Sequence, residues 1–390
     1  MVEILKSIAE TFKIFSLMQF LFEYQKKFLT KEIDSEKSLE ILKLQEIERI
    51  LLDLNETNAD TIIKRCEKFK DNHEIIISAL ISCCIISVKN QNNMVLSFIE
   101  KYNAIYSGTL ELLVRMLRNM FNEQDESFES KVFNQYIDSF TYLLLVKNIM
   151  TKKDLPKYDY YMSSKFRITQ DYVNMTSGET RLEDNSDHIE KCLKGVSPSD
   201  MNVAIRNDDV ELLQQLLSSA ESIDMEFEGN DYENYERNHV LASTVIEYSA
   251  LYGSIKCFKY CINNHAILSK KLGFCAIAGG NIEIIRICKQ QKCNLNDCIN
   301  ISVIFHYHEL TRWIIENLPV KQHISIKNSI KAFNFNIIDD IIHKSENQCI
   351  LEYSIQYNNI FLLKWVLNQI KVGNLNEKEL KVRSYNLFQQ

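Results

Sequence analysis

The chain has 390 residues, 45 basic and 52 acidic side chains, and a formal net charge of −7. Nine glycines and three prolines, against roughly one residue in eight on average, leave few turn residues for a β-sandwich or a Gly-rich phosphate cradle. A composition 46% hydrophobic and 25% charged is that of a globular chain with a core, which excludes wholesale disorder and a coiled-coil rod.

The first 150 residues read as an N-terminal helical region. Ile4, Leu5, Ile8, Phe12 and Phe15 recur at spacings of three and four through Lys31, and Leu39, Leu42, Ile47, Ile50 and Leu51 repeat the pattern. Met1–Phe20 is broken by Glu3, Lys6, Glu10 and Lys13, unlike the apolar stretch of a secretory signal. Asp71 or Asn72 is placed to cap a helix over Glu74–Lys89, and Asn92 or Asn93 the next one. Within the first of these, the 14 residues Ile75–Val88 are uncharged. They fall short of the roughly 20 that span a bilayer, so they read as a buried core helix with no membrane span. Ser107–Gly108 breaks the chain before Leu110–Phe121, and a further helix is expected over Lys131–Met150.

Residues 151–198 are polar and tyrosine-rich, with Pro156 and Gly178 and no clear period, and read as an irregular linker. From 199 to 390 the chain repeats itself. Aligned on Gly280, the equivalent turn positions are Asp208, Gly253, His306, Asn334 and Asn358, giving intervals of 45, 27, 26, 28 and 24 residues. Four positions before the turn stand Ala204, Ser249, Ala276, Ser302, Ile330 and Ser354; five of the six are small enough for two helices to approach closely. Four and eight positions after it every residue is apolar, from Leu212 and Leu216 to Leu362 and Val366. Both tryptophans, Trp313 and Trp365, stand seven positions after the turn, as does Tyr260. A helix pair of this length cannot bury both of its faces alone, so about six pairs are expected to stack. The expected fold is all-α: an α-solenoid of stacked antiparallel helix pairs.

The segments 244–264 and 271–290 resemble degenerate ankyrin repeats. Thr244, Ile246, Ser249–Ala250 and Gly253 match that family's Thr, Leu, Ala pair and Gly, and Cys257–Phe258 and Cys261–Ile262 take its two apolar pairs. Val245 and Glu247 replace its proline and histidine. AIAGGNIEII (276–285) and NDDVELLQQLL (207–217) are similar to a divergent ankyrin branch expanded in a parasitic protist. The resemblance covers about 199–370. It implies a protein-binding repeat array, with the partner lying along the concave face of the stack. Ankyrin repeats have a period of about 33 residues, so intervals of 24–28 imply β-hairpin fingers that are shortened or missing. The exception is the first interval, whose excess length is expected to form a loop over about 222–238.

Chemistry finds little purchase. Eleven cysteines, none in a CxxC spacing, point to free thiols in a reducing, intracellular compartment, cytoplasmic or nuclear. Cys288, Cys293, Cys298, His306 and His308 lie close in sequence, but their spacings match no zinc motif, and no metal site or cofactor is expected. There is no GxSxG, GxxxxGK[ST], HExxH or HRD–DFG set, so neither an enzyme nor a small-molecule substrate is expected. A pI near 5.7 without a basic stripe counts against nucleic acid.

Two features suit a protein partner of unknown identity. Tyr252, Phe305, Phe333 and Tyr357 stand one position before the turn and form either a row of contact anchors or core packing. The insert 221–237 carries seven acids and one base, among them Glu226 and Glu228, together with Phe227, Tyr232 and Tyr235. It reads as a docking loop for a basic partner or as a solvated loop. The expected function is a non-catalytic interaction scaffold. The alternatives are an adaptor or regulatory subunit that recruits a separate kinase- or ubiquitin-ligase-type enzyme and, more remotely, an unrecognised enzyme.

Overall fold

The structure is a computed structural model that describes residues 39–84, 92–121, 137–138, 140–155, 197–220, 222–227, 242–295, 298–318 and 324–337, then 350, 353–354, 359 and 361–365. The expected helix before Lys31, most of the linker 151–198, and Glu228, Tyr232, Tyr235 and Tyr357 lie outside these described residues. Among the described residues the regular structure is helical, apart from one antiparallel bridge between Glu226 and Thr244.

In the N-terminal region α1 spans Leu39–Leu52, α2 Ala59–Cys66, α3 His73–Cys84, α4 Asn92–Ile105 and α5 Thr109–Phe121. The i, i+3, i+4 stripe of α1 buries Leu44, Ile47 and Leu51, and α1 packs on α3, which packs on α5. The apolar α3 is internal, with Ile75, Ile76, Ile77, Ala79, Leu80 and Ile81 all at most 1% exposed. No described helix is long and apolar enough to cross a membrane. Its expected cap at Asp71 or Asn72 gives way to a 3-10 turn, Glu67–Asn72, kinked at the buried Phe69. Gly108, at φ 89, makes the break between α4 and α5.

The C-terminal region runs α6 (Asp200–Arg206), α7 (Val210–Ser218), α8 (Val245–Leu251), α9 (Ile255–Asn263), α10 (Leu272–Gly279), α11 (Ile282–Gln290), α12 (Ile299–Ile304), α13 (His308–Asn317) and α14 (Ile326–Lys331). Each first helix packs on its own second helix: α6 on α7, α8 on α9, α10 on α11 and α12 on α13. First helices also pack on first helices from α6 through α8, α10 and α12 to α14, and α7, α9 and α11 pack in the same succession.

One hydrogen-bonded turn closes each first helix. Asp208, Gly253, Gly280, His306 and Phe333 adopt φ of 51, 69, 67, 58 and 56°, the left-handed residue that ends many helices. The next N–H returns to the carbonyl of the small residue five positions back: Asp209 to Ala204, Ser254 to Ser249, Tyr307 to Ser302, Asn334 to Ser329 and Asn359 to Ser354, at 2.8–2.9 Å. The fifth turn therefore stands at Phe333, one residue before the expected Asn334. The register shift places Ser329, not Ile330, at the close-approach position, so all six of those residues are small.

Side chains beside these turns bridge successive pairs. Ser254 donates to Ile205 O (2.5 Å), Asn281 to Gly253 O (2.8 Å), Tyr307 to Ala278 O (3.0 Å) and Asn334 to Val303 O (2.7 Å). Asp208 accepts from the Lys256 and Cys257 N–H groups at 2.8 and 3.0 Å, capping the second helix of the following pair. The start of α8 is held by a capping box between Thr244 and Glu247. The buried Glu247 carboxylate also accepts from Ser243 and, in the next pair, Ser269.

The two regions share one hydrophobic cluster that extends from Ile41 to Trp365. Contact between them runs through α1. Gln45 donates to Phe335 O at 3.0 Å, and the Lys43 ammonium lies 5.4 Å from the Phe361 ring centroid.

Candidate functional site

Two of the four aromatic residues singled out beside the turns, Phe305 and Phe333, are buried. Phe305 is 9% exposed, with Tyr307 stacked at 6.2 Å. Phe333 is 1% exposed and is itself the turn residue, its ring edge-on to Phe335 at 4.8 Å. Neither reaches a partner without the core opening, so for these two residues the core-packing alternative fits. Tyr252 is half-buried, packed on Tyr248 at 4.5 Å with the Arg206 guanidinium 5.9 Å from its ring. The fourth member, Tyr357, lies outside the described residues.

The acidic insert leaves the fold through a short β-like base. Glu226 is exposed and bridges Thr244, and the Phe227 N–H bonds to Ser243 O at 2.8 Å. Phe227 is half-buried, edge-on to Tyr248 at 5.4 Å, and Asp224 accepts from Ile267 N at 2.7 Å. Phe227 thus secures the base of the insert to the second pair, and Asp224 ties it to the loop that follows that pair.

The first helices are internal: every residue of α8 and of α12 is buried. What the pairs present is the second-helix side. Tyr260, Ile287 and Trp313 are half-buried at equivalent positions, seven residues after the turn, on α9, α11 and α13. Charged side chains flank them: Lys259 pairs with Glu283 at 2.5 Å, and the Lys289 ammonium sits 5.2 Å from the Trp313 ring centroid. Ile282 on α11 and Ile315 on α13 are 48% and 41% exposed.

Cys66, Cys257, Cys261, Cys288 and Cys293 are thiols outside any disulfide. Desolvation pushes the Cys66, Cys257 and Cys261 thiols up to about 12, which leaves them protonated and unreactive. Cys288 hydrogen-bonds to Cys293; the contact raises Cys288 and lowers Cys293 below its ordinary value. These thiols do not gather with His306 and His308. Among the described residues, the His, Cys, Asp and Glu side chains that do converge are Glu48, His306 and His308, whose ligand atoms lie within 4.8 Å of one another.

Glu48 stands on the apolar stripe of α1, four residues after Leu44, and is fully buried. His306 is the left-handed turn residue between α12 and α13, and His308 is the first residue of α13. Glu48 Oε1 lies 2.8 Å from His306 Nδ1 and 3.4 Å from His308 Nε2. Its Oε2 accepts from the Phe335 and Asn336 N–H groups at 2.7 and 3.3 Å. His306 Nε2 lies 2.9 Å from Ala332 O, and the Asn336 side-chain amide nitrogen 3.4 Å from His308 Nε2. Burial pushes the His308 imidazole below its usual 6.5, against the opposing pull of Glu48. The two histidines were visible in the sequence. Their third partner is 258 residues away from His306, and its one signal was an acid on an apolar stripe. Compared with known proteins, the chain matches no family model, no curated protein and no solved structure.

Proposed function

We propose that the chain is a non-catalytic protein-binding scaffold. Its C-terminal half is read as an α-solenoid of stacked antiparallel helix pairs of degenerate ankyrin type, whose fingers are lost except at the base of the acidic insert. The observation that carries this reading is that Tyr260, Ile287 and Trp313 stand half-buried at equivalent positions of three successive second helices, with charged side chains beside them. Half-buried aromatics ringed by charged side chains are the composition of an interface centre and its rim. Because α8 and α12 are buried on all sides, the partner surface lies along the second helices and not along the first-helix, concave side. The partner suited to it is a protein segment offering apolar side chains to these three residues and charges of both signs to the side chains beside them. The unreactive buried thiols fit a non-catalytic role.

The test is affinity capture by the full chain, followed by cross-linking to locate contacts. Links should fall on Lys256, Lys259 and Lys289, which are exposed on α9 and α11. Trp313→Ala and Tyr260→Ala should each weaken the captured complex by about thirtyfold or more, the loss of an interface hot spot, with unchanged circular dichroism. Wild-type affinity in both variants, or cross-links confined to residues before 199, would refute the reading.

A further inference from the structure

Helix α1 and the turns that follow α12 and α14 meet at Glu48, where two imidazoles converge on one carboxylate oxygen. A neutral imidazole carries one N–H. His306 Nε2 faces Ala332 O at 2.9 Å and holds that hydrogen, so Nδ1 aims a lone pair at Glu48 Oε1, 2.8 Å away. Two acceptors at this distance need positive charge between them. His308 adds a second ring nitrogen to the same oxygen at 3.4 Å, and its buried Nδ1 has no hydrogen-bond partner. Two imidazole nitrogens and one carboxylate oxygen thus converge within 4.8 Å of one another, the donor set and spacing of a cation site.

We propose that Glu48 Oε1, His306 Nδ1 and His308 Nε2 bind one divalent transition-metal cation of the zinc type, which staples α1 to the fourth and fifth helix pairs. Zinc–nitrogen and zinc–oxygen bonds of about 2.0–2.2 Å in a tetrahedron put ligand atoms about 3.3 Å apart. The separations of 2.8 and 3.4 Å lie on either side of that value. The Asn336 amide supplies the fourth ligand once its oxygen and nitrogen are exchanged, an alternative that the heavy-atom geometry permits; that group already stands 3.4 Å from His308 Nε2. The surroundings are those of a ligand set. His306 donates its other ring N–H to a backbone carbonyl, and the second Glu48 oxygen is held by two backbone N–H groups. Two imidazoles and one carboxylate suit zinc and its neighbours, whereas calcium and magnesium take oxygen ligands. The ligands come from α1, from the α12–α13 turn with the start of α13, and from the segment after α14, so the cation stabilises a contact that local structure alone does not fix.

The full chain, stripped with a chelator and dialysed, is titrated with zinc(II) by calorimetry and with cobalt(II) by absorption. One cation per chain is expected, with the visible bands of a four-coordinate cobalt site, no near-ultraviolet cobalt–thiolate band, and a higher melting temperature on zinc addition. His308→Ala removes a partly exposed side chain and should weaken cobalt binding by more than about a hundredfold, beyond what loss of an outer-shell partner costs. Glu48→Gln, with its fold checked by circular dichroism, should do the same. Folded wild-type protein that takes up neither cation at millimolar concentration would show that the centre holds only a proton. Binding that survives His308→Ala, or that carries the thiolate band, would equally overturn the proposal.

Discussion

Gly279→Ala separates tertiary approach from helix propensity, because the two predict opposite signs. Alanine is favoured over glycine inside a helix by about 1 kcal/mol, so an isolated α10 would gain. In the fold, a β-carbon at Gly279 would lie 2.1 Å from Ala250 O and 2.8 Å from Leu251 O, both at the end of α8. Ordinary contact begins near 3.4 Å, so α8 and α10 would have to part by about 1 Å. Every residue of α8 is buried, as are six of the eight in α10. A gap of that size forfeits up to about half of each lost dispersion contact, and overpacking of this kind costs about 3 kcal/mol at its upper end. The net expectation is a destabilisation of about 2 kcal/mol once the propensity gain is set against it. Gly108→Ala is the control. Nothing lies within 4 Å of its added carbon, but its φ of 89° leaves backbone strain of about 1–2 kcal/mol. Urea denaturation of the full chain, followed by far-ultraviolet circular dichroism, should lower the Gly279→Ala midpoint by somewhat under about 1 M. A midpoint equal to or above wild type would mean that the two helices do not approach as described.

Asp208→Ala removes the acceptor for the Lys256 and Cys257 N–H groups and should cost about 1–2 kcal/mol. Asp208→Asn, which keeps an acceptor, should cost less, and equal denaturation midpoints for wild type and Asp208→Ala would argue against the bridge between pairs. His73 contacts Tyr102 Oη at 2.8 Å, and burial lowers its pKa from the usual 6.5 despite Asp71 nearby. A depressed histidine favours the neutral ring when folded, so its contribution is full above 6.5 and falls as the unfolded chain takes up a proton below that value. The loss ends once pH passes the lowered folded value. Melting temperatures at pH 7.5 and about 5.5 should converge in His73→Gln relative to wild type, and an unchanged difference would remove His73 from the acid response.

Periodicity revealed most of the helices because burial imposes it. The 39–51 stripe, the break at Gly108 and the turns at Asp208, Gly253, Gly280 and His306 all stand where spacing put them. The fifth turn was misread by one residue for a definite reason. Asn334 looks like a turn residue and Phe333 does not, yet the five-back hydrogen bond to Ser329 O places Phe333 at φ 56°. Phenylalanine is tolerated there because its ring is fully enclosed against Phe335, so tertiary packing offsets a local cost. The same slip had enrolled Phe333 in the aromatic row, although it is the turn residue itself and is buried.

The candidate centre lay beyond such reading because spacing carries information only within a neighbourhood. His306 and His308 were weighed against nearby cysteines, although the thiols face the interior of their own pairs, with Cys288 bonded to Cys293. The carboxylate that meets the histidines comes from α1, 258 residues earlier than His306. What the sequence did hold was a conflict. Glu48 continues the buried stripe of Leu44, Ile47 and Leu51, and an ionised group at such a position is tolerated only when it is paired or ligating. An acid on an apolar helix stripe therefore calls for a cationic or donor-rich partner elsewhere in the chain. Here those partners are two backbone N–H groups and two imidazoles on the turns that α1 covers. The contact that joins the N-terminal helices to the repeats is thus polar at its centre, which makes the docking of α1 sensitive to whatever charge sits between Glu48 and His306.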